Sequence, residues 1–242
     1  MSQEYFEAYI SRQEKGISKF TNWLENNDRP EDLERIERLY SGITANILNI
    51  VVARYSRGDK VSEIKPQMDE FIQRALKSEQ AHESYNGVLF PLSYCILFNE
   101  PEEWRTKFRS SFFKNPTKKI PEVDGLLDFL TTGQKNDGKL IWEKQFNRLW
   151  QAVLSDTPEE QNKHLTDYVT RWYGAKKGEF WYNEHKKSSI ENMNFSTYNG
   201  YWSWEAGAVA KLLNIPDENL KDHPNYPYDL VHFKDEKRES ND

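Results

Sequence analysis

The chain has a single cysteine, Cys95, so no disulfide can form within it, and such usage fits a reducing compartment. Cys95 lies in the longest apolar run, Val88 to Phe98, where burial would keep the thiol protonated and inert, a packed core residue and not a nucleophile. That run falls well short of the roughly 18 apolar residues needed to span a bilayer. The opening residues, MSQEYFEAYI, carry acids where a secretory leader would carry Lys or Arg, so a cytoplasmic location is expected. The five histidines, His82, His164, His185, His223 and His232, show no metal-ligand spacing, and His232 near Asp229 and His82 beside Glu83 read as chance neighbours. A Gly-rich phosphate loop, a nucleophile-elbow serine and a cysteine pair are all missing, so no metal and no cofactor is expected. No segment alternates at period two, and no repeat of fixed length emerges.

A surplus of positive charge is also lacking. The net charge is -6 and the pI is near 5.5, which argues against general binding to nucleic acid or to an anionic membrane, since both require a basic surface. An acidic surface suits a basic partner or, more blandly, keeps the protein soluble. What the chain does have is rings. With 30% charged residues and a mean hydropathy of -0.91, aromatic residues at 14% supply the apolar area of the core, because each buried ring removes roughly 150 to 250 Å² from water.

Helix starts are legible. Proline followed by acids recurs at Pro30-Glu31-Asp32, Pro101-Glu102-Glu103, Pro121-Glu122, Pro158-Glu159-Glu160 and Pro216-Asp217-Glu218. Proline suits the first helical position, and first-turn carboxylates complement the helix dipole. Thr157 and Glu160 form a capping box. Stripes at spacings of three and four run through Tyr5, Phe6, Tyr9, Ile10, Ile17, Phe20, Trp23 and Leu24, and through Leu33, Ile36, Leu39, Tyr40, Ile43, Ile47, Ile50 and Val51. Others begin at Ile64, at Trp104 (through Phe108 and Phe112), at Leu126, at Ile141 and at Leu165. The expected fold is all-α, a compact array of about eight to ten helices in two sequential halves. Joints are expected at Asn115 to Gly125 and at Thr131 to Gly138, which places an N-terminal helical region at 1–123 and a C-terminal helical domain at 124–242. The tail after Phe233, KDEKRESND, is charged and free of apolar residues and is expected to stay disordered.

The most specific stretch runs from Tyr198 to Phe233. Placed on a helix from Tyr201 to Leu213, Tyr201, Glu205, Ala208 and Leu212 share one stripe, so Glu205 points toward packed surface and needs a partner or a proton. It is read as a structural anchor, with Ala206, Gly207, Ala208 and Ala210 kept small for close helix approach; a general acid or base is the alternative. The exit Pro224-Asn225-Tyr226-Pro227-Tyr228-Asp229 is expected to be an ordered extended segment, its tyrosines either interface anchors or rings folded back on the last helix.

The pattern of Tyr198, Gly200-Tyr201-Trp202, Glu205, Ala206 and Ala208, then Ile215, Asp217 and Tyr226-Pro227-Tyr228-Asp229-Leu230, resembles the C-terminal region of PoNi-type immunity proteins. Tyr198, Gly200, Tyr201, Trp202 and Glu205 would be its structural motif. That resemblance implies a bacterial, cytoplasmic, helical inhibitor that forms a stoichiometric complex with a cognate PoNe-like nuclease toxin of PD-(D/E)xK type, with no direct contact to nucleic acid. Asp217, Glu218, Asp222, Tyr226, Tyr228 and Asp229, an acidic and aromatic concentration beside the motif, are the expected toxin interface. The acids Glu25, Asp28, Glu31, Asp32, Glu34 and Glu37 read either as a solvated helix start or as a second toxin-facing surface. The competing functions are a helical enzyme with Glu205 as acid and base, and a general helical scaffold.

Overall fold

The structure, a computed structural model, describes residues 1–26, 29, 31–77, 84–112 and 124–234. Asp28, Pro30, His82, Pro121-Glu122, the expected joint from Asn115 to residue 123, the side chain of Phe112 and the tail from residue 235 lie outside the described residues. Among those described there are eleven α-helices, nine of them of seven residues or longer, and no strand. The all-α expectation holds. Among the described residues no helix is long and apolar enough to cross a membrane.

Two compact units form, and they do not follow chain order. The first comprises Met1–Gln80 with Glu179–Gly200, the second Ala81–Gly178 with Tyr201–Asp242. The expected halves, 1–123 and 124–242, remain a division of the sequence.

The first unit is built on α1 (Gln3–Glu25), α2 (Leu33–Arg57) and α3 (Val61–Lys77). Ser2 caps α1 by accepting from the Tyr5 N–H at 3.2 Å, and Asp32 caps α2 by accepting from the Arg35 N–H at 2.9 Å, each satisfying a donor that the first helical turn leaves free. The aromatic stripe of α1 forms the core: Tyr5, Phe6, Tyr9 and Ile10 pack with Ile50 and Ala53 of α2, with Ile17, Met193 and Tyr198 against them. The turn from α2 to α3 is stapled. Gly58 takes φ 95°, a left-handed value glycine adopts without strain. Asp59 then accepts from Arg54 Nε and Arg57 Nε, each at 2.7 Å, and these guanidinium bonds, that of Arg57 foremost, hold its carboxyl below the usual aspartate range. Arg54 also donates to Gln67 of α3 at 2.9 Å.

The α2 stripe divides. Leu39, Ile43, Ile47 and Ile50 are buried, while Leu33 and Tyr40 are 74% and 51% exposed. The apolar set spans more than one face, and only part of it meets the core.

The second unit contains α4 (Tyr85–Leu97), α5 (Glu102–Phe112), α6 (Gly125–Thr132), α7 (Glu143–Leu154), α8 (Pro158–Ala175), α10 (Trp204–Leu213) and α11 (Tyr228–Val231). The single turn α9 (Glu184–Lys187) belongs to the first unit. The apolar run around Cys95 is α4, buried nearly all round as a helix without a polar face must be. Two of the Pro-acid starts behave as expected: α5 follows Pro101, and α8 opens at Pro158 with Thr157 accepting from the Glu160 N–H at 3.3 Å. Pro216-Asp217-Glu218 starts only a 3-10 turn, Glu218–Leu220.

Two expectations in the Tyr198–Phe233 stretch need correction. The helix begins at Trp204, not Tyr201, because residues 201–203 bond to the loop at Asn225: the Ser203 N–H and hydroxyl both donate to the Asn225 carbonyl at 2.8 Å, and Asn225 Nδ2 donates to the Tyr201 carbonyl at 2.9 Å. The exit is not extended throughout. Pro227 ends it as the N-cap of α11, whose turn is closed by the Leu230 and Val231 N–H groups donating to the Pro227 carbonyl at 3.1 Å.

Candidate functional site

The motif falls on both units, and each part has its own role. In the first unit, Tyr198 lies against the α1 core, its carbonyl accepting from the Tyr5 hydroxyl at 2.7 Å. Gly200 has φ 136°, a conformation that a side chain strongly disfavours. In the second unit, Tyr201 packs its ring 5.1 Å from Tyr173, and Trp202 lies 6.0 Å from Trp204.

Glu205 is 1% exposed on α10. Its Oε1 accepts from the Tyr168 hydroxyl at 2.6 Å and from Trp172 Nε1 at 2.8 Å, both on α8. Its Oε2 has no hydrogen-bond partner among the described residues. Burial first, and then the nearby carboxyl, raise the Tyr168 and Tyr94 hydroxyls above the usual tyrosine range, so Tyr168 stays protonated and able to donate. The geometry is that of an anchor between α10 and α8, and the small residues expected to allow close approach, Ala206, Gly207, Ala208 and Ala210, are all buried.

Gly207 shows how close this approach is. A Cβ there would lie 2.7 Å from Pro227 Cγ and 3.3 Å from side-chain carbons of Leu97 and Val231. Gly207→Ala gains helix propensity of about 1 kcal/mol but overpacks at a typical cost of about 1–3 kcal/mol. A net loss of about 1 kcal/mol is expected in urea unfolding.

Lys211, one turn further on, donates through Nζ to the carbonyls of Leu97, Phe233 and Leu230 at 2.8, 2.9 and 3.1 Å. It thereby closes C-terminal carbonyls of α4 and α11, and burial lowers its pKa to about 8.

The residues expected at the toxin interface separate into two groups. Asp217 and Tyr226 are interior, at 0% and 2% exposed, because Asp217 is bonded: Oδ2 accepts from the Tyr226 hydroxyl at 2.6 Å, and Oδ1 lies 2.8 Å from His232 Nε2. A buried carboxylate requires such partners. Tyr228 is half-buried with its ring 4.2 Å from that of His232. Glu218, Asp222 and Asp229 are exposed. The Asp217–Tyr226–His232 group thus ties the 3-10 turn that carries Glu218 to α11, which carries Asp229, with Asp222 on the segment between them.

Sequence reasoning missed the His232 partner, since it looked at Asp229 and not fifteen residues back. It also missed a second buried hub. Asp124, 0% exposed, caps α6 by accepting from the Leu127 N–H at 2.9 Å, accepts from the Tyr85 hydroxyl at 3.1 Å, and through Oδ2 accepts from the Ile141 N–H at 2.7 Å. The aspartate before Gly125 and the apolar Leu126-Leu127 was the available signal, as an N-cap. Beside it, Arg109 Nε donates to Asp128 at 2.8 Å. Of the remaining histidines, His185 lies edge-on to Tyr198 and His223 Nδ1 accepts from the Asn225 N–H. No group of three or more His, Cys, Asp or Glu among the described residues could hold a metal ion.

The buried acids of this all-helical chain serve as anchors and caps, and the comparisons give its family. Residues 1–108 match the N-terminal part and residues 122–230 the C-terminal part of the PoNe immunity proteins (PoNi), and the chain belongs to that family. Its fold is similar to that of the crystal structure of protein PA2201 from Pseudomonas aeruginosa, with a TM-score of 0.67 and 16% identity over 98% of this chain and 89% of that one. No curated protein matches. Membership implies a protein partner, a PoNe nuclease toxin, and points to an inhibitor without enzymatic activity.

Proposed function

We propose that this protein neutralises a cognate PoNe-like nuclease of PD-(D/E)xK type by binding it stoichiometrically in the cytoplasm of the bacterium that makes both. The observation that carries this is the family match over both segments, 1–108 and 122–230. A nuclease must present a positive cleft to DNA, and an inhibitor with a net charge of -6 is suited to cover it. Glu218, Asp222 and Asp229, on the segment tied together by the Asp217 group, are the exposed remainder of the expected interface, with Tyr228 beside them. Protection from a toxin made in the same cell requires a Kd of about 1 nM or below, about -12 kcal/mol.

The test mixes the purified protein with the PoNe-like toxin domain encoded beside it and follows DNA cleavage. Cleavage is expected to stop near one equivalent and to persist with an unrelated immunity protein. Unchanged cleavage at excess protein would end the reading for that pair.

A further inference from the structure

A groove of about 800 Å³ runs between α2 and α3 in the first unit. Its α2 wall carries Leu33, Ile36 and Tyr40, spaced three and four apart and so on one face, with Glu37 between them. Leu33 and Tyr40 are the residues of the α2 stripe that the core leaves out. In a chain with 30% charged residues, an apolar helical face in a groove is the usual form of a docking surface.

The charges of the groove select the occupant. On the α3 wall, Arg74 is matched to Glu70 at 2.9 Å, and on α2 the neighbouring Arg38 is matched to Glu34 at 2.9 Å. Glu37 lines the groove and, among the described residues, has no ion pair. Glu31, at the start of α2, is likewise exposed and without an ion pair. Lys77 stands at the far wall. Of the acids that line the groove, Glu37, on the α2 wall beside the apolar face, therefore offers a free carboxylate to a cation. The Arg54–Asp59–Arg57 staple and the Arg54 bond to Gln67 join α2 to α3 at the turn, the end of the pair away from Leu33.

We infer that this groove is a second docking surface for the nuclease toxin, one that receives an apolar side chain of a basic segment on Leu33, Ile36 and Tyr40 and a Lys or Arg of the same segment at Glu37. The inference rests on the immunity reading but concerns a different surface from Glu218, Asp222 and Asp229.

The test compares the full-length protein with Leu33→Asp/Tyr40→Asp and with Glu37→Lys, measuring Kd for the purified toxin domain and inhibition of DNA cleavage. The double variant is expected to bind about 100-fold more weakly, because truncated anchors at an interface centre have effects of that order. Glu37→Lys is expected to bind about 10-fold more weakly through slower association. Melting temperatures should stay at the wild-type value, since the altered side chains lie outside the core. Wild-type affinity in both variants would overturn the inference and leave the immunity reading standing. Failure of the unaltered protein to bind would remove both. Concentration-dependent self-association that Leu33→Asp abolishes, with toxin binding intact, would assign the groove to a second copy of the chain and overturn the inference.

Discussion

Glu205→Leu is expected to destabilise the protein by about 3 kcal/mol, because it leaves the Tyr168 hydroxyl and the Trp172 indole N–H without an acceptor in a site that water does not reach. Each buried orphaned donor costs about 1–3 kcal/mol, and the apolar replacement recovers part of this by removing a buried carboxylate whose second oxygen lacks a partner. For a chain of this size the loss corresponds to a fall in Tm of roughly 10 °C. Glu205→Gln keeps an oxygen at the Oε1 position and should lose about half as much. Differential scanning calorimetry of both variants checks this. An acid or base role predicts the opposite pattern, in which the glutamine variant folds as stably as the parent but an activity disappears; that result would remove the anchor.

Asp124→Ala should cost more, about 4 kcal/mol. Three donors converge on this carboxylate from three places in the chain: Leu127 in the first turn of α6, Tyr85 at the start of α4, and Ile141 on the loop returning from α6. Loss of the cap alone is worth about 1 kcal/mol, and the buried Tyr85 hydroxyl and Ile141 N–H add about 1–3 kcal/mol each. Burial and the adjacent carboxylate raise the Tyr85 hydroxyl well above the usual tyrosine range, so it is a donor at neutral pH. Asp124→Asn retains one acceptor but turns its amide toward the Ile141 N–H, donor against donor, and should lie between parent and alanine. Urea unfolding at neutral pH orders the three. Equal stability of Asp124→Ala and parent would show that the convergence has no energetic weight.

Helices were legible because their signals are local. Thr157 with Glu160, and Pro101 before two acids, act within one turn, and the helices begin where those residues stand. The side on which Glu205 lies was legible from spacing, but its donors were not, since Tyr168 and Trp172 come from a helix 37 and 33 residues earlier. The same limit explains Asp217. Its acidic neighbours suggested surface, and only a tyrosine nine residues away and a histidine fifteen residues away make its burial tolerable. Periodicity also identified the α2 stripe without telling which of its apolar residues would find a core, and Leu33 and Tyr40 did not. The start of α10 was misplaced by three residues because an asparagine more than twenty positions later captures the preceding backbone.

The Tyr5 hydroxyl bonds to a carbonyl 193 residues further along. On a ribosome that adds about 5–20 residues per second, the amino-terminal helices therefore wait about 10 seconds or longer for the strand of chain that completes their core. Fragments ending before Tyr198 should accordingly leave that core incomplete and invite proteolysis.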